Sequence, residues 1–156
     1  ARDSLRLEAG MCLYGHDISL ETTPPMAALG WIVGKDRRAE GSGNFNGASK
    51  ILEQLATPKS MTVRRVGFKV EKGPAAREGA DIVDLESGKN LGKITSGLPS
   101  PTLGGQNIAM GLIKNGYHKK GTNVGIKIRK NVRKAEVVKM PFVENKFYRP
   151  DSKDKA

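Results

Sequence analysis

Apolar positions near the start of the chain recur at helical spacing. Leu5, Ala9, Cys12 and Leu13 stand at i, i+4, i+7 and i+8, so residues 1–9 are expected to form a helix with that stripe facing inward. Gly10 follows and is placed to cap it. Asp3 precedes Arg6 by three residues and can pair with it, while Arg2 shares a face with Arg6 and lacks an obvious local partner. In "TTPPMAALGW", Thr23 can cap a short helix whose first turn tolerates proline. Trp31, Ile32 and Val33 read as a brief strand, and "KDRRAEGSGNFNG" reads as a loop. Residues 47–56, "GASKILEQLA", predict an amphipathic helix with Ile51, Leu52 and Leu55 inward, ended by "TPKS".

From Thr62 the texture changes. "TVRRVGFKV", "DIVDL", "LGKITSG", "NIAMGLI", "VGIKI" and "RKAEVVKM" are short strand-like runs. Between them lie the turn-rich separators "EKGPAAREG", "ESGKN", "LPSPTLGGQ", "KNGYHKKGTN" and "RKN". Six strands at such spacing point to a small antiparallel barrel or sandwich. The expected class is α+β: a short helical N-terminal segment followed by a small antiparallel β-barrel of about six strands. The division falls near residue 58, giving segments 1–57 and 58–148, and "YRPDSKDKA" suggests a disordered tail over 149–156.

Composition agrees with one modest domain. Hydrophobic residues make up 37% of the 156 and aromatics 5%, and 19 glycines with eight prolines favour turns and short strands. No run approaches the roughly 18 apolar residues of a membrane helix, and no secretory leader is visible. A single cysteine, Cys12, excludes an internal disulfide and suits a reducing compartment. Charge is uneven along the chain. Residues 1–112 hold 14 basic and 12 acidic groups, whereas residues 113–156 hold 13 basic and 4 acidic, which accounts for most of the net +11. That asymmetry suits an acidic partner, or a solvated basic face.

Recognisable catalytic patterns are missing. His16 and His118 lie in different segments, and one cysteine allows no zinc spacing. Nucleophile-elbow, phosphate-loop and dinucleotide fingerprints do not occur. "GGQNIAMG" sits between strands without a phosphate-loop lysine, so it reads as a hairpin connection. No catalytic residue is assigned from this chain.

Five segments in order carry a resemblance: "ARDSLRLEAGMCLYGHDI", "TTPPMAALGW", "RRVGF", "ITSGLPSPTLGGQNIAMG" and "KMPFV". Together they resemble the C-terminal part of the glycine cleavage T-protein family, the tetrahydrofolate-dependent aminomethyltransferases, over residues 1 to about 148. The resemblance implies transfer of a one-carbon unit from the aminomethyl-dihydrolipoyl arm of an H-protein to tetrahydrofolate, with release of ammonia. It implies no metal, and a mitochondrial location if the source is a eukaryote. The family's catalytic aspartate lies in an N-terminal part this chain lacks, so the chain is expected to be a fragment. Segment 1–57 would then be the end of a folate-binding central domain, not expected to hold its shape alone.

The same resemblance implies site residues. Arg2 matches a substrate-binding arginine, and a guanidinium can grip a folate carboxylate with two parallel bonds; the competing reading is that it only pairs with a neighbouring carboxylate. Trp31 matches a tryptophan at the folate site, against plain core packing beside Ile32 and Val33. Phe147 and Tyr148 match a pair of tyrosines, the first of which has lost its hydroxyl here. Lys119, Lys120 and Lys134 are candidates for steering the acidic H-protein. Two alternatives accompany this reading. One is a folate-binding or regulatory domain without transferase chemistry. The other is a basic barrel that tracks nucleic-acid phosphates, which the scarcity of stacking aromatics near its lysines disfavours.

Overall fold

A computed structural model of the chain describes residues 1–39, 43–144 and 146. Helix α1 spans Arg2–Glu8 and α2 spans Ala48–Ala56. Six strands follow: β1 Val63–Val70, β2 Asp81–Val83, β3 Asn90–Ser100, β4 Gln106–Lys114, β5 Asn123–Ile128 and β6 Asn131–Val138. They close into a barrel in the order β1-β4-β3-β2-β5-β6, with every neighbouring pair antiparallel. All six expected strands are present. Strand β3 runs further than the turn residues suggested, because Leu98, Pro99 and Ser100 continue the ladder opposite Ile108, Asn107 and Gln106.

Side chains alternate across each strand, and this separates two packed layers. Val66, Phe68 and Val70 of β1 point into the barrel with Ile82, Ile94, Ile113 and Ile126. Outside, Ile108 and Met110 of β4 meet Leu7 of α1, flanked by Leu98, Leu103, Met140 and Phe142. The N-terminal helix therefore lies on the outer surface of the barrel. Gly67 on β1 makes room for the 140–142 segment there: a Cβ at this position would stand 2.8 Å from Met140 Cγ and Phe142 Cζ.

Packing against that surface, rather than the expected stripe, decides which face of α1 is buried. Leu5 is exposed, whereas Leu7 and Glu8 are buried. The stripe failed because the contact is polar as well as apolar: the Glu8 carboxylate accepts from the Ser100 hydroxyl and from Thr102 N and Oγ1. The helix ends as anticipated. Gly10, at φ +70°, donates to Leu7 O and Met11 N reaches back to Arg6 O, a paired closure that needs a left-handed residue.

Helix α2 begins after Gly47 and buries Ile51, with Leu52 and Leu55 half-buried. Thr23 Oγ1 accepts from Met26 N in a run of turns. Residues 31–33 do not form the expected strand. Trp31 and Ile32 fall in a 3-10 turn, Gly30–Ile32; this stretch has no sheet partner, since β1 is already paired on both sides. Phe147, Tyr148 and the expected disordered tail 149–156 lie outside the described residues.

Candidate functional site

A β-bulge builds the polar centre beside α1. Ile94 faces Gly111 and Ser96 faces Met110, so Thr95 is an extra residue in β3. Bulges re-aim side chains, and here Thr95 and Ser96 both serve the N-terminal segment. Thr95 Oγ1 donates to Asp17 Oδ1 at 2.6 Å, and Ser96 Oγ accepts from Arg6 Nη2 at 3.1 Å. Asp17 is fully buried; its Oδ2 takes Arg6 Nη1 and Leu13 N, each at 2.9 Å. Arg6 also donates to Asp3 Oδ1 at 3.1 Å. This hydrogen bond, with the nearby charges of Arg2 and Arg6, holds the Asp3 carboxyl below its usual range.

The expected Asp3–Arg6 pair is therefore present, and it belongs to a larger network. Arg6 has spent its donors on the fold. Arg2 has not: its side chain is 80% exposed, and its nearest carboxylate is Asp3 at 3.9 Å. An exposed pair at that distance contributes little. Arg2 lines a cavity of about 290 Å³ with Arg6, His16, Arg77, Glu78 and Ser96. His16 Nδ1 lies 2.6 Å from Glu78 Oε2 and ties this rim to the loop after β1.

Trp31 lies elsewhere. It lines a separate cleft of about 560 Å³ with Met11, Cys12, Leu29, Arg65 and Met140. At 75% exposure the ring is not packed into the core of this chain, and only Val33 of that trio is buried. Arg2 and Trp31 thus line different cavities rather than one. Lys119, Lys120 and Lys134 are exposed. Among the described residues no three His, Cys, Asp or Glu side chains gather as a metal site, and no helix is long and apolar enough to cross a membrane.

Sequence reasoning missed the residues that organise both cavities. Asp17, Glu8, Thr95 and Ser96 looked like ordinary polar positions. Arg65 was not singled out at all, yet it is 5% exposed. Its Nε donates to Ala27 O at 2.7 Å and its Nη1 to Gly10 O at 3.0 Å, which clamps the N-terminal segment onto β1. Burial pulls this guanidinium below its ordinary pKa, opposed by the charges of Cys12 and Asp17. The available signal was position: in β1, Arg65 alternates with the inward Val66 and Phe68, on the outer face, where the segments carrying Gly10 and Ala27 meet it.

Residues 64–144, the barrel and the segment after it, match the family described as the glycine cleavage T-protein C-terminal barrel domain. The chain belongs to that family. A probable mitochondrial aminomethyltransferase of Schizosaccharomyces pombe is 54% identical over 149 residues, covering 96% of this chain and 36% of that relative. The mitochondrial aminomethyltransferase of Pisum sativum is 53% identical over 150 residues, covering 96% and 35%. The crystal structure of glycine cleavage system aminomethyltransferase T from Bartonella henselae superposes with a TM-score of 0.85 at 40% identity, covering 96% of this chain and 40% of that one. The chain spans a little over a third of the length of the curated relatives it matches. The resemblance carried by the five motifs and the barrel expected from six short strands both hold. T-protein barrel membership accounts for β1–β6, and the likeness to the relatives extends to the N-terminal side of the barrel as well.

Proposed function

We propose that this chain is the C-terminal portion of a mitochondrial, tetrahydrofolate-dependent aminomethyltransferase of the glycine cleavage system. In that role it helps transfer the one-carbon unit from the aminomethyl-dihydrolipoyl H-protein to tetrahydrofolate, with release of ammonia. The observation that carries the reading is the alignment of 96% of the chain with enzymes so named, at about half identity, well beyond the barrel alone. Tetrahydrofolate supplies the acceptor for the one-carbon unit. Arg2 suits its carboxylates, because the guanidinium keeps free donors at the edge of a cavity where Arg6 is already neutralised by Asp3 and Asp17 and Arg77 donates to the Gly97 carbonyl. Trp31 offers an exposed ring for the flat part of the cofactor. Phe147 and Tyr148 belong to the same proposed contact set. Lys119, Lys120 and Lys134 form the candidate face for the acidic lipoyl-bearing partner.

The test uses the complete enzyme that carries this chain and measures methylenetetrahydrofolate formation. Arg2→Gln should raise the KM for tetrahydrofolate by roughly tenfold, the effect of losing one charge-assisted contact, with kcat little changed. An unchanged KM would remove Arg2 from the site. Replacing Lys119, Lys120 and Lys134 with glutamate should raise the KM for the H-protein at low ionic strength and less so at high salt; no change at low salt would dismiss this docking face.

A further inference from the structure

Asparagine followed by glycine occurs twice, at Asn46–Gly47 and Asn115–Gly116. The backbone nitrogen of the following residue can attack an asparagine carboxamide, and glycine, with no Cβ, leaves that approach open. The two dipeptides share this chemistry and differ in their surroundings. Asn115 Nδ2 donates to Pro58 O at 3.0 Å and to Met61 O at 2.9 Å, which ties the chain just after β4 to the segment before β1. The attacking nitrogen is held as well, since Gly116 N donates to His118 Nδ1 at 3.2 Å. Reaction there requires three hydrogen bonds to open. Asn46 and Gly47, by contrast, are both exposed. They are the central pair of a turn closed by Ala48 N donating to Phe45 O at 3.1 Å, with Gly47 at φ +76° and ψ +10°. Neither the Asn46 carboxamide nor the Gly47 N–H has a hydrogen-bond partner among the described residues.

We propose that Asn46 is a site of spontaneous deamidation and that the fold protects Asn115 from the same reaction. Gly47 N gives its proton to solvent and bonds to Asn46 Cγ. The bond from Cγ to the side-chain nitrogen breaks, and that nitrogen takes up a proton and leaves as ammonia. Water then opens the five-membered succinimide at either carbonyl. One opening gives aspartate; the other gives isoaspartate, in which the main chain runs through the former side chain. Either product adds a negative charge just before α2. Isoaspartate also lengthens the backbone inside the turn that sets the entry of α2, the helix that carries buried Ile51 and the hydrogen bond from Thr23 Oγ1 to Gln54 Oε1 at 2.6 Å. Neither Asn46 nor Gly47 lines the Arg2 or Trp31 cavities, so the site stands independently of the aminomethyltransferase reading.

The test holds the complete enzyme that carries this chain at physiological temperature and pH. Peptide mapping by mass spectrometry follows conversion at each asparagine, and isoaspartate is counted by methyl transfer from labelled S-adenosylmethionine with an isoaspartyl methyltransferase. Asn46 should convert at least about tenfold faster than Asn115, because each hydrogen bond that must open adds to the barrier at Asn115. In denaturant the two sites should convert at similar rates. Similar rates in the folded enzyme, faster conversion at Asn115, or no conversion at Asn46 while the denatured chain converts overturns the proposal. Asn46→Gln, at an exposed position, should abolish the isoaspartate signal of this turn; a signal that persists there overturns the assignment. His118→Phe removes the acceptor for Gly116 N–H and should raise the rate at Asn115 several-fold while leaving Asn46 unchanged; an unaltered rate at Asn115 overturns the protection. If that variant does not fold, the comparison of the two asparagines in the parent enzyme still decides.

Discussion

Replacing Asp17 with alanine should remove about 3 kcal/mol of folding free energy. The side chain has no solvent exposure, and its oxygens accept from Arg6 Nη1, Leu13 N and Thr95 Oγ1. Alanine leaves the Leu13 N–H without an acceptor, at about 1–3 kcal/mol. It also strips the buried counter-charge from Arg6, and breaking a buried pair from one side costs about 3–5 kcal/mol. The two figures describe overlapping losses and do not add. The lower end applies because Arg6 keeps Asp3, Ser96 and the Met11 carbonyl, and Thr95 can turn its hydroxyl to Met110 O at 3.2 Å. At about 2–4 °C per kcal/mol for a chain of this size, the melting midpoint should fall by about 6–12 °C. Urea unfolding followed by circular dichroism measures the loss directly, provided the slope with denaturant is unchanged. Asp17→Asn keeps the volume, its carbonyl can still accept from Arg6 Nη1 and Leu13 N, and its amide can donate to Thr95 Oγ1 once that hydroxyl turns to Met110 O, so it should lose mainly the charge and cost less than the alanine variant. A loss below about 1 kcal/mol for the alanine variant, the size of an average substitution, would refute the claim that this network pins the N-terminal segment.

Three further outcomes follow from the geometry. Gly10→Ala should destabilise by about 1–2 kcal/mol in thermal unfolding, because the left-handed conformation penalises a side chain and the new Cβ would stand 2.9 Å from Met140 Cβ. Glu8 has a lowered pKa, chiefly through the Ser100 hydroxyl, with Thr102 adding to it against the cost of burial. A depressed carboxyl contributes stability that is full above its unfolded value of 4.5 and is lost as pH falls through the folded value beneath it. Glu8→Gln should therefore flatten the stability profile below that pH, and an unaltered slope would contradict the assignment. Trp31→Ala should change stability by no more than about 0.5 kcal/mol, whereas Phe68→Ala, fully buried inside the barrel, should cost about 3–5 kcal/mol; comparable losses would place Trp31 in the core after all.

Legibility differed sharply between the barrel and the site. Short apolar runs such as "NIAMGLI" and "VGIKI", punctuated by glycine-rich separators, carry their own boundaries, since a strand needs only local alternation and a turn needs only local chemistry. The stripe through Leu5 and Ala9 misled because a seven-residue helix offers too few positions to define a face. Trp31 beside Ile32 and Val33 has strand composition, yet no edge is free to pair with it. Arg65 and Asp17 are invisible as a kind: nothing in "RRVGF" or "YGHDI" says which charge is buried, because burial depends on what folds over it.

By itself the sequence determined the number, order and approximate bounds of the six strands, the glycine closure of α1 and the family. Each of these depends on residues close together in the chain, or on motifs in order along it. Only the tertiary structure decided that α1 lies across β3 and β4, that Glu8 rather than Leu5 faces inward, and that Arg2 and Trp31 open onto different cavities. Those outcomes come from contacts between residues far apart in the chain, such as Glu8 with Thr102, 94 positions on, and with Phe142 further still. At such separations the register of the closed barrel and the bulge at Thr95 determine which side chains meet, and helical or strand periodicity carries no information about either.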